Sequence, residues 1–302
     1  MIDVSLRVLR YFVAAADHGN VTAAARALKV SQPSVSLAVS QLEEALNTQL
    51  FVRQHSRGVA LTPAGTTVLR EARKLLAHVG DFADGVAGIG QETRGSLSIG
   101  CLGYLAPRYL AGAIAGFLAQ YPQTDVSFRD GDQPELVRGM INGELEMALT
   151  YDLMLPRQFA VEPLLELAPY ILLPGHHRLA KRRTIHLREI ADEPCALLNL
   201  PISQDYFGSI FASLGLAPNV RHRTMSMETV RSLVGNGLAY SILTLPSKVA
   251  TTYDGKRLAA IRLSDPVQPV RIVSVRLAES RPRPIAQAFQ LFLRGHFRRQ
   301  GG

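Results

Sequence analysis

The stretch SQPSVSLAVS, residues 31–40, places hydroxyl and amide side chains along one face of a helical pattern. The outward positions are Gln32, Ser34, Ser36, Leu37 and Ser40. Hydroxyls and amides hydrogen-bond to base edges and phosphates, and an aliphatic side chain such as Leu37 can contact a thymine methyl. The chemistry that fits is recognition of a DNA major groove. A capped surface helix in an ordinary helical domain is the alternative, and the pattern alone leaves both open.

The elements that position this face are predicted from capping residues and apolar spacing. Asn20 can cap a first helix that ends near Leu28, and a tight Lys29–Val30 turn follows. Ser31 can cap a second helix, which tolerates Pro33 in its first turn. Its apolar residues fall three or four apart and predict an inward stripe of Val35, Val39, Leu42 and Leu46. This is the pattern of a helix-turn-helix.

A hairpin is predicted directly after these helices. Residues 50–53 and 59–61 are short β-prone runs on either side of a polar tip. Arg53, His55 and Arg57 cluster at the tip, where a hairpin beside a recognition helix can contact phosphates or a minor groove. Ordinary solubilising charges are the alternative for these three residues.

Several motifs in this region resemble those of the LysR-type transcriptional regulators. They are FVAAA from Phe12, TAAARAL from Thr22, SQPSVS from Ser31, QLEEAL from Gln41, LFVR from Leu50 and LTPAG from Leu61. The resemblance implies that Gln32, Pro33, Ser36 and Arg53 contact DNA. The predicted DNA-binding set is Thr22, Ser31, Gln32, Pro33, Ser34, Ser36, Leu37, Ser40, Arg53, His55 and Arg57. Family members often carry Arg and Gln where Leu37 and Ala38 stand, so the base preference is left open.

A long helix is predicted to follow, from the capping Thr62 and first-turn Pro63 to about Gln91. Its apolar residues recur in alternating steps of three and four, as a heptad seam does. The seam residues are Leu69, Ala72, Leu76, Val79, Ala83 and Val86. Pairing with a second chain would bury this seam, and the resemblance likewise implies a dimerising linker helix. Glycines beyond Val79 weaken the helix, so fraying or a bend is expected there.

Length and composition predict two domains joined by this linker. Residues 1–93 hold nine basic and eight acidic side chains, so the excess of the +8 net charge lies in residues 94–302. That surplus adds attraction to DNA, favours anionic effectors or only maintains solubility, which is the default interpretation.

The sequence shows neither a long apolar run nor a cleavable signal, and we expect a cytoplasmic protein without membrane contact. Cys101 and Cys195 are too few for a disulfide framework.

Beyond residue 95, β-prone runs alternate with helical patterns, which argues for parallel sheets with covering helices. The β-prone runs are residues 96–101, 125–128, 147–150, 169–173, 196–200, 240–243 and 271–275. The family resemblance continues in GELEMAL from Gly143, YILLPGH from Tyr170 and VGNGLAYSIL from Val234. It implies an α + α/β fold class, with a winged helix-turn-helix (1–62), a linker helix (63–92) and a two-lobed effector domain like periplasmic solute-binding proteins (93–302). Lobe I is predicted at about 95–165 plus 267–302 and lobe II at about 166–266.

In such folds a ligand lies between the lobes, at strand ends and helix N-termini. The predicted effector contacts are Leu102, Gly103, Tyr104, Thr150, Tyr151, Asp152, Leu200, Pro201, Ser203, Met225, Ser226 and Glu228. Hydroxyl-rich amide pockets suit small carboxylates, whereas the acidic and aromatic residues of this set would equally suit an amine. For the tyrosines, packing at the lobe interface is an equal alternative.

Enzymatic chemistry finds little support in the sequence. The stretch from Gly235 to Gly237 lacks the third glycine and the context of a dinucleotide loop. His176 and His177 are adjacent and have no metal-ligand partner at a suitable spacing nearby. We therefore expect no enzyme, no metal and no cofactor. Cys101 and Cys195 fall at strand ends, which usually hold inert thiols.

The leading interpretation is a DNA-binding regulator whose operator binding or DNA bending responds to a small-molecule effector. Its expected partners are double-stranded DNA with an interrupted palindrome, further copies of itself as a dimer or tetramer, and RNA polymerase. The alternatives are a small-molecule binding module with a weakly specific or architectural DNA head, a thiol-based redox regulator and an enzyme on the two-lobed scaffold.

Overall fold

The computed structural model describes residues 4–54, 58–87 and 93–299, which form a winged N-terminal domain, a long helix and two α/β lobes. The winged domain consists of α1 (Leu6–His18), α2 (Val21–Leu28), α3 (Gln32–Ala45), β1 (Phe51–Gln54) and β2 (Gly58–Leu61). The long helix α4 spans Pro63–Ala87. The predicted helix-turn-helix and hairpin are confirmed at nearly their expected bounds.

The core of the winged domain is built from the apolar stripes of its helices and from the start of the hairpin. Val35, Val39 and Leu42 of α3 are buried, as predicted, and Leu46 is half-buried. Phe12 of α1 is fully buried, and its ring centroid lies 5.3 Å from that of Phe51. The inward stripe of α3 therefore fixes which residues remain on its outer face.

Helix α4 contributes part of its predicted seam to this same core. Leu69 and Ala72 are only 3% and 4% exposed, and Leu76 packs against the same cluster. The prediction that Leu69 and Ala72 face a second chain is therefore wrong, because the winged domain of their own chain already covers them. The helix continues through Gly80 and Gly85 to Ala87, whereas the side chains of Ala83 and Val86 lie outside the described part of the chain.

The other side of α4 packs on lobe I of the same chain. Arg73 forms an ion pair with Asp17 of α1, donates 2.7 Å to the carbonyl of Asn142 and lies 3.5 Å from a Glu144 oxygen. Gly143 has a positive φ of 68°, and a Cβ there would lie 3.2 Å from the Arg70 carbonyl oxygen. A larger residue would have to push α4 away, so glycine permits this close approach.

Lobe I is a five-stranded sheet with helices on its faces. In chain order its elements are β3 (Gly95–Leu102), α5 (Ala111–Gln120), β4 (Thr124–Gly131), α6 (Gln133–Ile141), β5 (Met147–Tyr151) and β6 (Phe159–Leu167), completed by β13 (Val270–Leu277) and α9 (Pro284–Arg298). The strand order is β4-β3-β5-β13-β6.

This sheet is mixed rather than parallel, which corrects the sequence-based expectation. Strand β3 runs parallel to β4 and β5, whereas β13 is antiparallel to both of its neighbours. Strand β13 enters the sheet from lobe II and inserts between β5 and β6. It is not joined to either neighbour by a crossover helix, the connection that parallel strands need, so it can run antiparallel to both. Strand β6 escaped prediction because it carries Pro163 and the charged Glu162 and Glu166, features of an edge strand; Pro163 lies at a register shift.

Lobe II holds a four-stranded sheet in the order β11-β7-β12-β8 and a parallel pair of β10 and β9. In chain order its elements are β7 (Tyr170–Pro174), β8 (Thr184–Ile185), β9 (Pro194–Leu198), α7 (Pro201–Ser213), β10 (Asn219–Thr224), α8 (Met227–Gly235), β11 (Ser241–Leu243) and β12 (Leu258–Leu263). The chain crosses between the lobes after β6 and again before β13. Together with the winged domain and α4, the two lobes form the predicted fold class. Within the described ranges no helix is long and apolar enough to cross a membrane.

Candidate functional sites: the recognition-helix face and the interlobe cleft

The turn between α2 and α3 is set by caps on both helices. The side chain of Asn20 accepts from the amides of Thr22 at 2.8 Å and Ala23 at 3.1 Å. Lys29 ends α2 in the left-handed region with a φ of 57°, and the Ser31 hydroxyl accepts from the amide of Ser34 at 3.3 Å. These local contacts fix the start of α3, and with it the direction of its outer face.

The outer face of α3 is the surface that the sequence predicted. Gln32, Pro33, Ser34, Leu37 and Ser40 are exposed, as are Ser31 before the helix and Thr22 on α2, while Ser36 is half-buried. Leu37 is 61% exposed, a large fraction for an apolar side chain. Ala38 is buried, so only Leu37 of the Leu37–Ala38 pair reaches this surface.

The polar side chains of this face are paired with one another. Gln32 Nε2 donates to Ser36 Oγ at 2.7 Å, and the hydroxyls of Ser31 and Ser34 lie 2.7 Å apart. Exposed pairs of this kind contribute only a few tenths of a kcal/mol each, so they can be exchanged for hydrogen bonds to a ligand. The face is therefore ordered but remains available for binding.

Sequence reasoning missed a residue that orients the hairpin. Glu43, on α3, accepts from the amides of Leu50 at 2.7 Å and Phe51 at 3.0 Å. At the other strand, the amide of Val59 donates to the Gly19 carbonyl at 2.8 Å. One carboxylate thus ties the wing to the recognition helix. A Glu eight residues before a strand carries no recognisable signal, because it looks like any other surface acid.

The wing itself is an antiparallel pair in which Arg53 lies opposite Val59. Arg53 therefore occupies a strand directly beside the tip, as predicted, although its side chain is not among those described. His55 and Arg57 lie outside the described residues, so their predicted DNA contacts stay predictions.

A second candidate site is a cavity of about 340 Å³ between the lobes. It is lined by eight of the twelve predicted effector residues, namely Leu102, Gly103, Tyr104, Tyr151, Leu200, Pro201, Ser203 and Met225. Residues 131–135, at the start of α6, also line it and were not predicted. Strand ends and helix starts from both lobes meet here, which is where ligands of open α/β sheets bind.

Two helices begin at this cavity, and their first turns differ. At α6, the Asp132 carboxylate accepts from the Glu135 amide at 2.8 Å while the Glu135 carboxylate accepts from the Asp132 amide at 3.0 Å. At α7, the cap position is Leu200, and no side chain in the described part of the protein caps the helix. The amides at the start of α7, together with the buried hydroxyl of Ser203, are thus suited to bind an anion.

Two tyrosines lie in the floor of the cavity with ring centroids 5.7 Å apart. Burial raises the pKa of Tyr104 above its usual range, although a hydrogen bond with Ser203 opposes the shift. Burial also raises the pKa of Tyr151, whose hydroxyl lies 3.1 Å from Thr244 Oγ1 of lobe II. Both phenols therefore stay neutral at physiological pH. Through this contact with Thr244, Tyr151 packs at the lobe interface, and it also lines the cavity. Both interpretations that the sequence left open therefore hold for this residue.

Thr150 and Asp152 do not line this cavity, which corrects their prediction. Thr150 is buried and donates to Gln133 Oε1 at 2.9 Å. Asp152 accepts from Arg271, with its oxygens 3.0 Å from the amide and 2.5 Å from Nε. Thr150 precedes Tyr151 on β5, where the strand alternation turns it to the other face, and Asp152 directly follows the end of the strand.

Ser226 and Glu228 lie in an adjoining cavity of about 740 Å³, which shares Gly103, Tyr104 and Met225 with the first. Glu228 is paired with the buried Arg231 at 3.2 Å, and Ser226 caps α8 by accepting from Thr229 at 3.2 Å. This cavity is also lined by Arg108 and Lys248. Neither forms an ion pair with another described residue, so positive charge dominates here.

Other residues that could do chemistry have structural roles. His177 lies 2.9 Å from a Glu193 oxygen, and no group of residues in the described ranges could hold a metal ion. Burial raises the pKa of Cys101 to about 12 and that of Cys195 to about 11. The two thiols also lie in different lobes, on β3 and β9. This environment does not favour a thiol-based redox response.

The sequence matches two family descriptions over almost its whole length. Residues 6–66 match "Bacterial regulatory helix-turn-helix protein, lysR family", and residues 90–298 match "LysR substrate binding domain". Among curated proteins, the HTH-type transcriptional regulator XapR of Escherichia coli K12 is 29% identical over 79% of this chain and 81% of its own length.

Solved structures agree with these matches. HinK, a LysR family transcriptional regulator from Pseudomonas aeruginosa, is 36% identical, covers 98% of this chain and 99% of its own, and has a TM-score of 0.66. CbnR, solved in complex with its target DNA, shares the fold at 24% identity and a TM-score of 0.57, covering 97% of this chain and 100% of its own. These similarities support an effector-responsive regulator rather than an architectural binding module or a redox regulator.

Proposed function

The chain belongs to the LysR family of transcriptional regulators, and we propose that it binds an interrupted palindromic operator through the outer face of α3 in response to a small carboxylate held between its lobes. The observation that carries the DNA-binding part is the composition of that face. Exposed Gln32, Ser34, Leu37 and Ser40 stand on one side of a helix whose other side is buried. A helix of this shape fits a major groove, with the wing beside it.

An interrupted palindrome requires at least two copies of the chain, and α4 offers an apolar face for pairing. Leu75 is 48% exposed and Val79, one turn later, is half-buried. Phe82 and Val86 continue the same spacing in the sequence, in steps of four, three and four. We therefore place the dimer seam on these four residues instead of on Leu69 and Ala72. A dimer of such dimers would give the tetramer, and RNA polymerase would be contacted from the DNA-bound assembly.

The carboxylate assignment follows from which groups in the cleft remain available. The first amides of α7 can donate to an anion, and so can one hydroxyl of the hydrogen-bonded pair Ser203 and Tyr104. Two carboxylates that would attract an amine are already paired, Glu228 with Arg231 and Asp152 with Arg271. Asp132 and Glu135 also line the cavity but accept from amides of their own helix. Binding alone performs this function, so we propose neither a catalytic step nor a cofactor.

The DNA-binding part can be tested by incubating the full-length protein with sheared genomic DNA and sequencing what is retained at moderate salt. Ser36→Ala and Arg53→Ala are the test variants, with Ser209→Ala and Arg262→Ala in lobe II as matched controls. We expect an interrupted palindrome to be enriched by the native protein and the controls and lost in the test variants, because specific sites resist competition that removes electrostatic binding. Enrichment of no sequence at any salt would refute the proposal.

The effector part can be tested on the retained sites with a panel of small carboxylates and their uncharged amide and amine analogues. An active carboxylate should change the DNase footprint of the native protein, and the Ser203→Ala variant should need at least tenfold more of it. An amine that acts where the carboxylate does not would overturn the carboxylate assignment while leaving DNA binding intact.

A further inference from the structure

A third cavity, of about 420 Å³, lies between α4 and lobe I. We call it the linker pocket. Its walls come from the middle of α4, from the turn between α6 and β5, from β13 and from the segment that joins β13 to α9. It shares no lining residue with the interlobe cleft. Its volume falls within the range of small-molecule sites, and it is formed by two domains, where such sites often occur.

The inner walls of the linker pocket are largely apolar. Met140 and Met147 are buried and line it from lobe I, together with Leu277 and Ala286. Ala77 lines it from α4. Methionine side chains adapt their shape to a ligand, so these walls suit an aliphatic or aromatic body without polar groups.

Two buried hydrogen-bond donors of this pocket have no partner among the described residues. Ser274 is 1% exposed, and its hydroxyl has no hydrogen-bond partner within the described residues; the same holds for the buried Nε of Arg276. The two residues are two positions apart on β13, so their side chains leave the strand on the same face. A buried donor without an acceptor costs about 1–3 kcal/mol, which a ligand acceptor would recover.

The charges around the linker pocket favour an anion. Arg73 and Arg283 are neutralised by Glu144 and Glu146, at 3.5 Å and 2.6 Å. Arg276 donates from Nη1 only to the carbonyls of Leu277 and Ser280, and no carboxylate among the described residues pairs with it. The other charged lining residues are Lys74, which is paired with Glu71 at 3.2 Å, Arg281 and Glu279. The walls thus hold five basic and three acidic side chains.

We propose that the linker pocket is a second ligand site, which binds a small monocarboxylate with an apolar body. The carboxylate accepts from Arg276 and Ser274, and the body packs on Met140 and Met147. Because one wall belongs to α4 and the others to lobe I, a bound ligand stabilises the observed packing of these two elements. This site does not depend on what occupies the interlobe cleft.

The test is a methyl NMR titration of the full-length protein with methionine methyls labelled with carbon-13. The probe is hexanoate, and 1-hexanol is its uncharged counterpart. Met140 and Met147 report on the linker pocket, Met225 on the interlobe cleft, and Met154, which is exposed and lines neither, is the reference. We expect saturating shifts at Met140 and Met147 with hexanoate and none with 1-hexanol.

Two variants make the result specific to this pocket. Arg276→Leu removes the cation that no carboxylate of the described residues neutralises, and Ala77→Leu fills the pocket from α4 without changing the sheet. Each should weaken hexanoate binding at Met140 and Met147 at least tenfold, while unchanged Met154 and Met225 signals confirm folding. The proposal is overturned if only Met225 shifts, if the shifts at Met140 and Met147 do not saturate, if 1-hexanol produces them equally, or if both variants bind as the native protein does.

Discussion

Glu43 is the residue whose replacement should most directly separate the wing from the recognition helix. Its carboxylate accepts from the amides of Leu50 at 2.7 Å and Phe51 at 3.0 Å, and both residues are buried. A hydrogen bond to a charged group contributes about 1.5–3 kcal/mol, and a buried amide that loses it keeps a desolvation cost. Because a small residue would admit some water to these amides, we expect Glu43→Ala to destabilise the start of the wing by about 3 kcal/mol.

Hydrogen–deuterium exchange of the peptide that contains Leu50 and Phe51 measures this effect. Local opening that becomes about 3 kcal/mol easier speeds exchange roughly a hundredfold, since 1.4 kcal/mol corresponds to a factor of ten. Glu44→Ala is the matched control, because Glu44 is exposed on the same helix. Glu43→Gln keeps one acceptor without the charge and should fall between the two. Exchange rates within about threefold of each other in Glu43→Ala and Glu44→Ala would refute the reasoning.

Three further outcomes are expected. Gly58→Ala should unfold the wing, because Gly58 has a φ of 92° and a Cβ there would collide with the Gly19 carbonyl oxygen. Gly208→Ala is the control: a Cβ at Gly208 meets open space, so this variant should leave the melting temperature equal or higher. Cys101 and Cys195 should resist iodoacetamide at pH 8 until the protein unfolds, because their raised pKa values leave almost no thiolate; rapid alkylation of the native protein, seen by mass spectrometry, would contradict this. Leu75→Asp should weaken self-association at least tenfold in sedimentation experiments, and an unchanged oligomer would exclude Leu75 from the seam.

The parts of the fold that the sequence predicted are those with local signals. Asn20 and Ser31 cap helices through hydrogen bonds to residues two or three positions away. The stripe of α3 follows the 3.6-residue period, so its outer face was predictable as well. Most of the interlobe cleft was also predicted, because strand ends and helix starts converge at one edge of such sheets.

The parts that escaped prediction depend on contacts between distant residues. Spacing alone made the Leu69 face of α4 as good a dimer seam as the Leu75 face, and only packing in the core of the winged domain, chiefly against α1, separates them. Asp152 was placed in the cleft because its strand ends there, but Arg271, more than a hundred residues later, pairs with it. Neither the Glu43 contact nor the linker pocket leaves any pattern in a single sequence.

The position of β13 has a consequence for how the protein is made. This strand lies between β5 and β6, yet it is synthesised only after the whole of lobe II. At ordinary rates of translation, β5 therefore waits on the order of ten seconds on the ribosome for its neighbour. During that time lobe II can fold, while β5 and β6 expose unpaired edges that could join another chain. A premature stop before Val270 would thus leave a nascent product prone to aggregation, with lobe II complete and lobe I open along its middle.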